Sequence, residues 1–421
     1  MFLSKAGFVA LVAFSAQATT RTIDKRQDDS HWVTAWTSMP QLVETNNMPP
    51  SPFGSTPVMR DATLRQTFYM TVAAPKIKIA ISNTFGGSDL PITAGSVGLP
   101  AGGAAGVSGL QASLLAAITV GGKASFTVPR GQAVVSDELD FAITPQTNIA
   151  VSLYSQQGQS SSSITGHPGS RTASWFVQGN KINATSFSGT QSVHWYFVSA
   201  VYALVPKETS GLIILGDSIT DGRGSDDNKN NRWPDLVLAR LQSSNITNVA
   251  IGNQAAGGNC VLRDCLGPAL ISRYQRDALT QPGVKYVMIF EGVNDIGGGA
   301  ISPQTQQQIG DALIKAYTQI TSDAKKLGLV TIGGTITPFG APSPSQQAYS
   351  DKNREATRVR VNKWIRESGS FNHVVDFSAM VESKSTPGQL ESRYHGGDYL
   401  HPNGVGYKAM ANGFPLEIFQ A

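Results

Sequence analysis

The chain has 421 residues, with 33 lysines and arginines against 29 aspartates and glutamates, a net charge of +4. So small an excess excludes functions that depend on a strongly basic surface, so neither nucleic acid nor an anionic membrane is expected as a partner. A metal site is not expected either, because no cluster of His and Cys at ligand spacing accompanies the two cysteines.

The first segment reads as an export signal. Lys5 precedes the apolar run from Ala6 to Phe14, and Ala16-Gln17-Ala18 ends it in small residues. That order matches a secretory signal peptide over residues 1–18, and the run is too short for a comfortable membrane span. Lys25-Arg26 resembles a dibasic propeptide-processing site of the fungal type, making 19–26 a propeptide. Residues 1–26 hold four of the 33 basic and one of the 29 acidic residues, so residues 27–421 carry a net charge of only +1. No later stretch has ~18 uninterrupted apolar residues, so stable membrane insertion is not expected.

The remaining length exceeds one typical core, which predicts two domains. Residues 27–206 lack long helical periods. Lys76 to Ser82 alternates polar and apolar residues as a half-buried strand does. Ala124–Val128, Leu139–Ile143, Asn148–Leu153 and Thr190–Leu204 read as further strands, with turn-rich stretches at 101–109 and 155–163. The expectation is an all-β domain, a sandwich or jelly-roll-like fold. Trp32, Trp36, Trp175 and Trp195 in this region read as core residues rather than a sugar-stacking platform. Asn183-Ala184-Thr185 and Asn245-Ile246-Thr247 are acceptor triplets for glycosylation in an exported chain.

From 207 to 421 the rhythm changes. Apolar runs at Leu212–Leu215, Val249–Ile251, Val284–Phe290, Leu329–Ile336 and Val374–Phe377 alternate with helical stretches. The helices are expected at Trp233–Leu241, Pro268–Leu279, Pro303–Lys326, Ser345–Glu367 and Pro402–Phe414. Alternation of this kind implies a parallel sheet in a three-layer α/β/α domain. Active residues of such sheets gather at the carboxyl ends of the strands.

Four segments stand in that position: Gly216-Asp217-Ser218-Ile219, Gly257-Gly258-Asn259, Gly292-Val293-Asn294-Asp295 and Asp398-Tyr399-Leu400-His401. Acyl transfer needs a nucleophile, a base, an orienter for the base, and donors for the developing oxyanion. Ser218 offers the hydroxyl, His401 an imidazole that titrates near neutrality, and Asp398 a carboxylate three residues away. Gly258 lets a backbone N–H approach the carbonyl, Asn294 carries an amide, and the Ser218 N–H completes the oxyanion donors. Asp217 and Asp295 read as loop-stabilising carboxylates. Cys260 and Cys265 form a disulfide in an oxidising compartment and stiffen the loop after Gly258. The segment around Ser218 lacks the second glycine of the α/β-hydrolase elbow. No P-loop, dinucleotide fingerprint or H-E-x-x-H occurs, and Asp226-Asp227-Asn228 does not match EF-hand spacing.

Together these segments resemble the SGNH hydrolase family, also called GDSL esterases and lipases, over the chain from Gly211 onward. Gly216 to Gly222 is similar to its first block, which implies Ser218 as nucleophile. Asn253 to Gly258 resembles the second and implies Gly258 as an oxyanion donor; Ala255 departs from the glycine of many relatives. Asn294 and the Asp398–His401 pair match the third and fifth blocks. The strand-rich leader resembles a two-domain, secreted branch with an N-terminal β domain. The resemblance implies an exported serine esterase without a cofactor. Its expected substrate is a short acyl ester, such as acetylated plant polysaccharide. A lipid acylhydrolase, or a carbohydrate-binding protein with an inactive hydrolase domain, are the competing readings.

Overall fold

Apolar side chains in two separate stretches of the chain build two cores, one under antiparallel strands and one around a parallel sheet. The structure is a computed structural model that describes residues 29–420. The expected signal peptide and dibasic site lie outside those residues.

The first region is strand-rich. Strands Ser30–Thr37, Val198–Pro206, Ile77–Ser82 and Ala133–Val135 form a four-stranded sheet. Strands Thr190–Ser192, Ser174–Gln178, Ala62–Tyr69, Asn148–Ser155, Ala94–Pro100 and Leu110–Ala117 form a six-stranded one. Both are antiparallel, and Val33, Ile79 and Val201 from one share a core with Leu64, Phe68 and Val151 from the other. Trp36 and Trp195 meet edge to face inside that core, 4.9 Å between centroids. Trp175 is half-buried and donates to the Gly106 carbonyl at 2.7 Å, while Lys78 sits 4.2 Å over the Trp32 ring.

Two local expectations need correction. Residues 139–143 form no strand: Leu139 and Ile143 make only isolated bridges, to Ile77 and Ala74. Their apolar side chains fill the core from an irregular segment. The stretch Thr190–Leu204 is three pieces, broken where Phe197 takes φ 62°.

The second region holds the parallel sheet, in spatial order Val249–Ala255, Ser210–Gly216, Val284–Phe290, Val330–Gly334, His373–Val375. The first strand in sequence is second in space, so the chain runs one way for one crossover and then reverses. The crevice at such a reversal is where open α/β sheets bind ligands. Helices Trp233–Ser243, Phe377–Val381 and Gly404–Gly413 pack together; Leu270–Tyr274, Pro303–Lys326 and Lys352–Glu367 form another group. Trp233, Phe290 and Phe377 cluster in the first group, with centroids 4.7–6.4 Å apart.

Caps decide the helix starts. Asp351 accepts from the N–H groups of Asn353 and Arg354, so that helix begins at Lys352 rather than Ser345. Asn403 accepts from Val405 and Gly406, so the last helix begins at Gly404 and not at Pro402.

The strand-rich region docks on the outer strand of the parallel sheet. Gln254 donates to Thr37 at 2.7 Å, and the Thr34 N–H donates to the Pro282 carbonyl at 3.0 Å. Ala250 is part of the antiparallel core. Among the described residues, no helix is long and apolar enough to cross a membrane.

Candidate active site

Ser218 opens a one-turn helix, Ser218–Asp221, directly after the strand Ser210–Gly216. Asp217 caps that turn by accepting from the Ile219 N–H at 3.0 Å. Burial pushes the Asp217 carboxyl up to about 7, helped by the neighbouring charges of Asp295 and Asp221. Being first in its helix, Ser218 keeps a backbone N–H with no intrahelical acceptor.

The Ser218 Oγ lies 2.8 Å from His401 Nε2, and His401 Nδ1 lies 2.6 Å from Asp398 Oδ2. A carboxylate accepts, so Nδ1 carries the ring proton and Nε2 is left to accept from the serine hydroxyl. Asp398 is fixed from below by its own turn. Tyr399 takes φ 55°, and the Leu400 and His401 N–H groups both donate to Asp398 Oδ1 at 3.0 Å. Partial burial works against ionisation of Asp398, but these bonds and the His401 ring outweigh it and hold the carboxyl well below the usual range. Ser218 and His401 are both buried.

Gly258 and Asn294 line the same cavity of about 410 Å³ as Ser218 and His401. Gly258 has φ 69°, a backbone conformation that favours glycine, and a Cβ there would also displace the end of the exposed Leu266 side chain. The loop behind it is held at several points. Cys260 and Cys265 are disulfide-bonded. Asn259 donates to the Leu266 and Pro268 carbonyls, and Arg273 donates to Asn259 Oδ1. Asp295 accepts from the Val261 and Leu262 N–H groups at 2.8 and 3.0 Å, which ties this loop to the turn carrying Asn294.

The Asn294 amide has a defined orientation. Its Nδ2 donates to the Asn259 carbonyl at 2.8 Å, and its Oδ1 accepts from the Tyr349 hydroxyl at 3.1 Å. One amide hydrogen therefore remains beyond the Asn259 bond. Tyr349 could not be singled out from sequence, because a separation of 55 positions from Asn294 hides the contact.

Asp221 is the second group that sequence reasoning passed over. It is buried, and its Oδ2 accepts from the Gly257 N–H at 2.9 Å. Its Oδ1 lies 2.8 Å from Nε2 of His167, a residue of the strand-rich region. His167 Nδ1 is 3.0 Å from the Met39 carbonyl. A carbonyl only accepts, so Nδ1 bears a hydrogen, and the Nε2–Oδ1 contact holds a further proton between the two groups. Gly169 makes room for this: a Cβ there would lie 1.7 Å from Asp221 Oδ2. The spacing of Asp221 from Ser218, one helical turn, was the available signal.

A hydroxyl bonded to an imidazole that is bonded to a carboxylate can pass its proton to nitrogen while the oxygen attacks. The expected glycosylation acceptors Asn183 and Asn245 are both exposed, away from this cavity.

Residues 214–409 match the GDSL-like Lipase/Acylhydrolase family. No curated protein sequence gives a significant match to the chain. Similar solved structures include the lipase/acylhydrolase from Enterococcus faecalis, 21% identical, covering 50% of this chain and 96% of that one with a TM-score of 0.39. A GDSL-like lipase from Bacteroides thetaiotaomicron is 18% identical over 49% of this chain and 86% of its own, TM-score 0.36. An acetyl xylan esterase variant from Geobacillus stearothermophilus is 20% identical over 49% and 94%, TM-score 0.37. The serine of the Gly216-Asp217-Ser218-Ile219 segment and the histidine bonded to it both lie inside the matched span, and residues 214–409 form a GDSL-like lipase/acylhydrolase domain of the SGNH type.

Proposed function

We propose that this protein is an exported serine esterase that removes short acyl groups, acetyl foremost, from plant cell-wall polysaccharide. The observation that carries the reading is the Ser218–His401–Asp398 hydrogen-bond chain, opening into a cavity that Gly258 and Asn294 also line.

In this reading Ser218 Oγ attacks the acyl carbon and its proton moves to His401 Nε2. Asp398 holds the ring and stabilises the imidazolium. The Ser218 and Gly258 N–H groups and the Asn294 amide bind the oxyanion. As the tetrahedral intermediate collapses, the C–O bond to the alcohol breaks and Nε2 returns the proton to the leaving oxygen. Water then attacks the acyl-serine, gives its proton to Nε2, and the acid departs as Ser218 regains its hydrogen. No cofactor enters any step.

The short acyl group is favoured by the cavity wall. Pro168, Leu266 and Leu400 are its main apolar side chains, among many polar ones, which is little surface for a long hydrocarbon chain. Release of acid from acetylated xylan, pectin and chitin oligomers and from triglycerides tests the proposal. Acetyl nitrophenyl ester should turn over well and the palmitoyl ester poorly. Preference for palmitoyl with activation at a lipid interface would transfer the protein to the lipases. Tight glycan binding with no acid released from any ester would leave only a binding role.

A further inference from the structure

The cavity beside Ser218 contains one charge that the protein leaves unanswered. Glu44 accepts from the side-chain amides of Gln41 and Asn47 at 2.7 and 2.9 Å. Asp221 is engaged by His167 and Gly257. Neither carboxylate forms an ion pair with Arg171 or Arg223, the two arginines lining the same cavity. Arg223 is exposed and solvated. Arg171 is different: it is half-buried, and its Nε is fully buried with no hydrogen-bond partner.

The buried Nε is closed to the cavity as well, so a ligand would meet the terminal guanidinium nitrogens, which make no hydrogen bond to the protein among the described residues. Arg171 also sits at φ 49°, an uncommon conformation for a residue with a Cβ. It is held there by the backbone around it, as its carbonyl accepts from the Asn228 N–H at 2.8 Å and Ala173 N–H binds Asn228 Oδ1. Strain of this sort concentrates where a side chain must be aimed. Arg171 lines the cavity together with Ser218 and His194, and burial first, then the His167 and Arg171 charges, lower the proton affinity of His194.

We propose that Arg171 forms an anion subsite next to the catalytic serine, assisted by Arg223, for a carboxylate on the sugar that bears the ester. The guanidinium fork matches a carboxylate in two parallel hydrogen bonds. The substrate class is therefore an acylated glycan containing uronate residues. A phosphate headgroup presents similar charge, but the scarcity of apolar wall leaves no seat for the acyl chains of a phospholipid. This inference rests on the esterase reading and is tested by binding, which does not require turnover.

The experiment is calorimetric titration of the full chain with a galacturonate trimer and with the uncharged galactose trimer, at low and high salt. The uronate trimer should bind at least about tenfold more tightly, as a lost charged hydrogen bond implies. That preference should shrink with salt, disappear in Arg171→Met, and be partly kept in Arg171→Lys. Thermal melting of each variant reports folding, and the salt dependence of the wild type decides the matter if a variant fails to fold. Equal affinity for both trimers, no binding of either, or a preference untouched by Arg171→Met overturns the subsite. So does binding of a phospholipid headgroup analogue in place of the uronate. Acid release from the acetylated trimer is measured alongside: uronate binding without it overturns the esterase reading alone, and release without uronate preference overturns the subsite alone.

Discussion

Replacing His167 with alanine should destabilise this protein more than any neighbouring surface change, although His167 lies outside the matched hydrolase span. Both side chains of the His167–Asp221 pair are 4% exposed. The substitution takes away the donor to Met39 and the only side-chain partner of Asp221 Oδ1, while Oδ2 keeps the Gly257 N–H. Removing one member of a buried pair typically costs about 3–5 kcal/mol, because the other charge is stranded. For a domain of ~200 residues each kcal/mol moves the melting temperature by roughly 2–4 °C, so a fall of roughly 6–20 °C is expected. Asp221→Asn provides the contrast. Its amide oxygen takes the Gly257 N–H, and its NH₂ donates to a neutral His167 whose Nδ1 hydrogen stays on Met39. Every hydrogen bond survives, so the loss should stay near or below about 1 kcal/mol. Melting curves of the three proteins at one pH check this. A His167→Ala protein that melts within about 2 °C of the wild type, well short of the ~6 °C floor, refutes the argument. An Asp221→Asn protein that falls as far as His167→Ala refutes its second half.

Three more outcomes are expected at the site. Ser218→Ala should abolish acid release yet leave glycan binding intact by calorimetry, since it removes the proposed nucleophile and leaves the cavity wall unchanged. Asn294→Ala removes the proposed oxyanion donor, a group worth on the order of 3 kcal/mol, and should cut kcat roughly a hundredfold or more with little change in KM; full activity would contradict its role. Asp217, raised to about 7, binds more protons folded than unfolded between pH ~4 and 7, so its contribution is present below pH ~4 and is lost as pH rises through 7. Asp217→Asn keeps the cap, and should be more stable than wild type at pH 8 by the order of a few kcal/mol, with a flatter stability profile between pH 4 and 7. Burial also drives the Glu291 carboxyl upward, so the slope shrinks without vanishing. Denaturant titrations across that range decide it.

What could be read from the sequence was what local patterning encodes. The strand Val284–Phe290 and the helix Pro303–Lys326 are where their apolar periods place them, because each is bounded by its own turn or cap. Ser218, Gly258, Asn294, Asp398 and His401 were legible because each sits in a short loop after an apolar run or ahead of a helix. The strand Ala62–Tyr69 was not legible. It is buried on both faces, and its polar face carries Arg65, which donates to the carbonyls of Ser108, Lys181, Ile182 and Ala184. A strand whose second face is covered by loops shows no clean alternation. His167, Tyr349 and Arg171 were hidden for another reason: their meaning lies in contacts with residues far along the chain.

Those hidden residues change how the cavity is to be understood. One line of hydrogen bonds runs from the Met39 carbonyl through His167 and Asp221 to the Gly257 N–H, next to Gly258 in the cavity wall. Its first half belongs to the strand-rich region and its second half to the hydrolase domain. The same loop that places His167 supplies Gly169, whose missing Cβ lets Asp221 approach, and Arg171, which lines the cavity. A change in that loop therefore reaches the site by two independent routes, through the position of Gly257 and through the charge beside Ser218. Variants at His167 should act on kcat and stability together. Variants at Arg171 should act on the choice between charged and neutral ligands, with stability much less affected. That separation is what a shared wall, as opposed to a mere docking contact between two regions, requires.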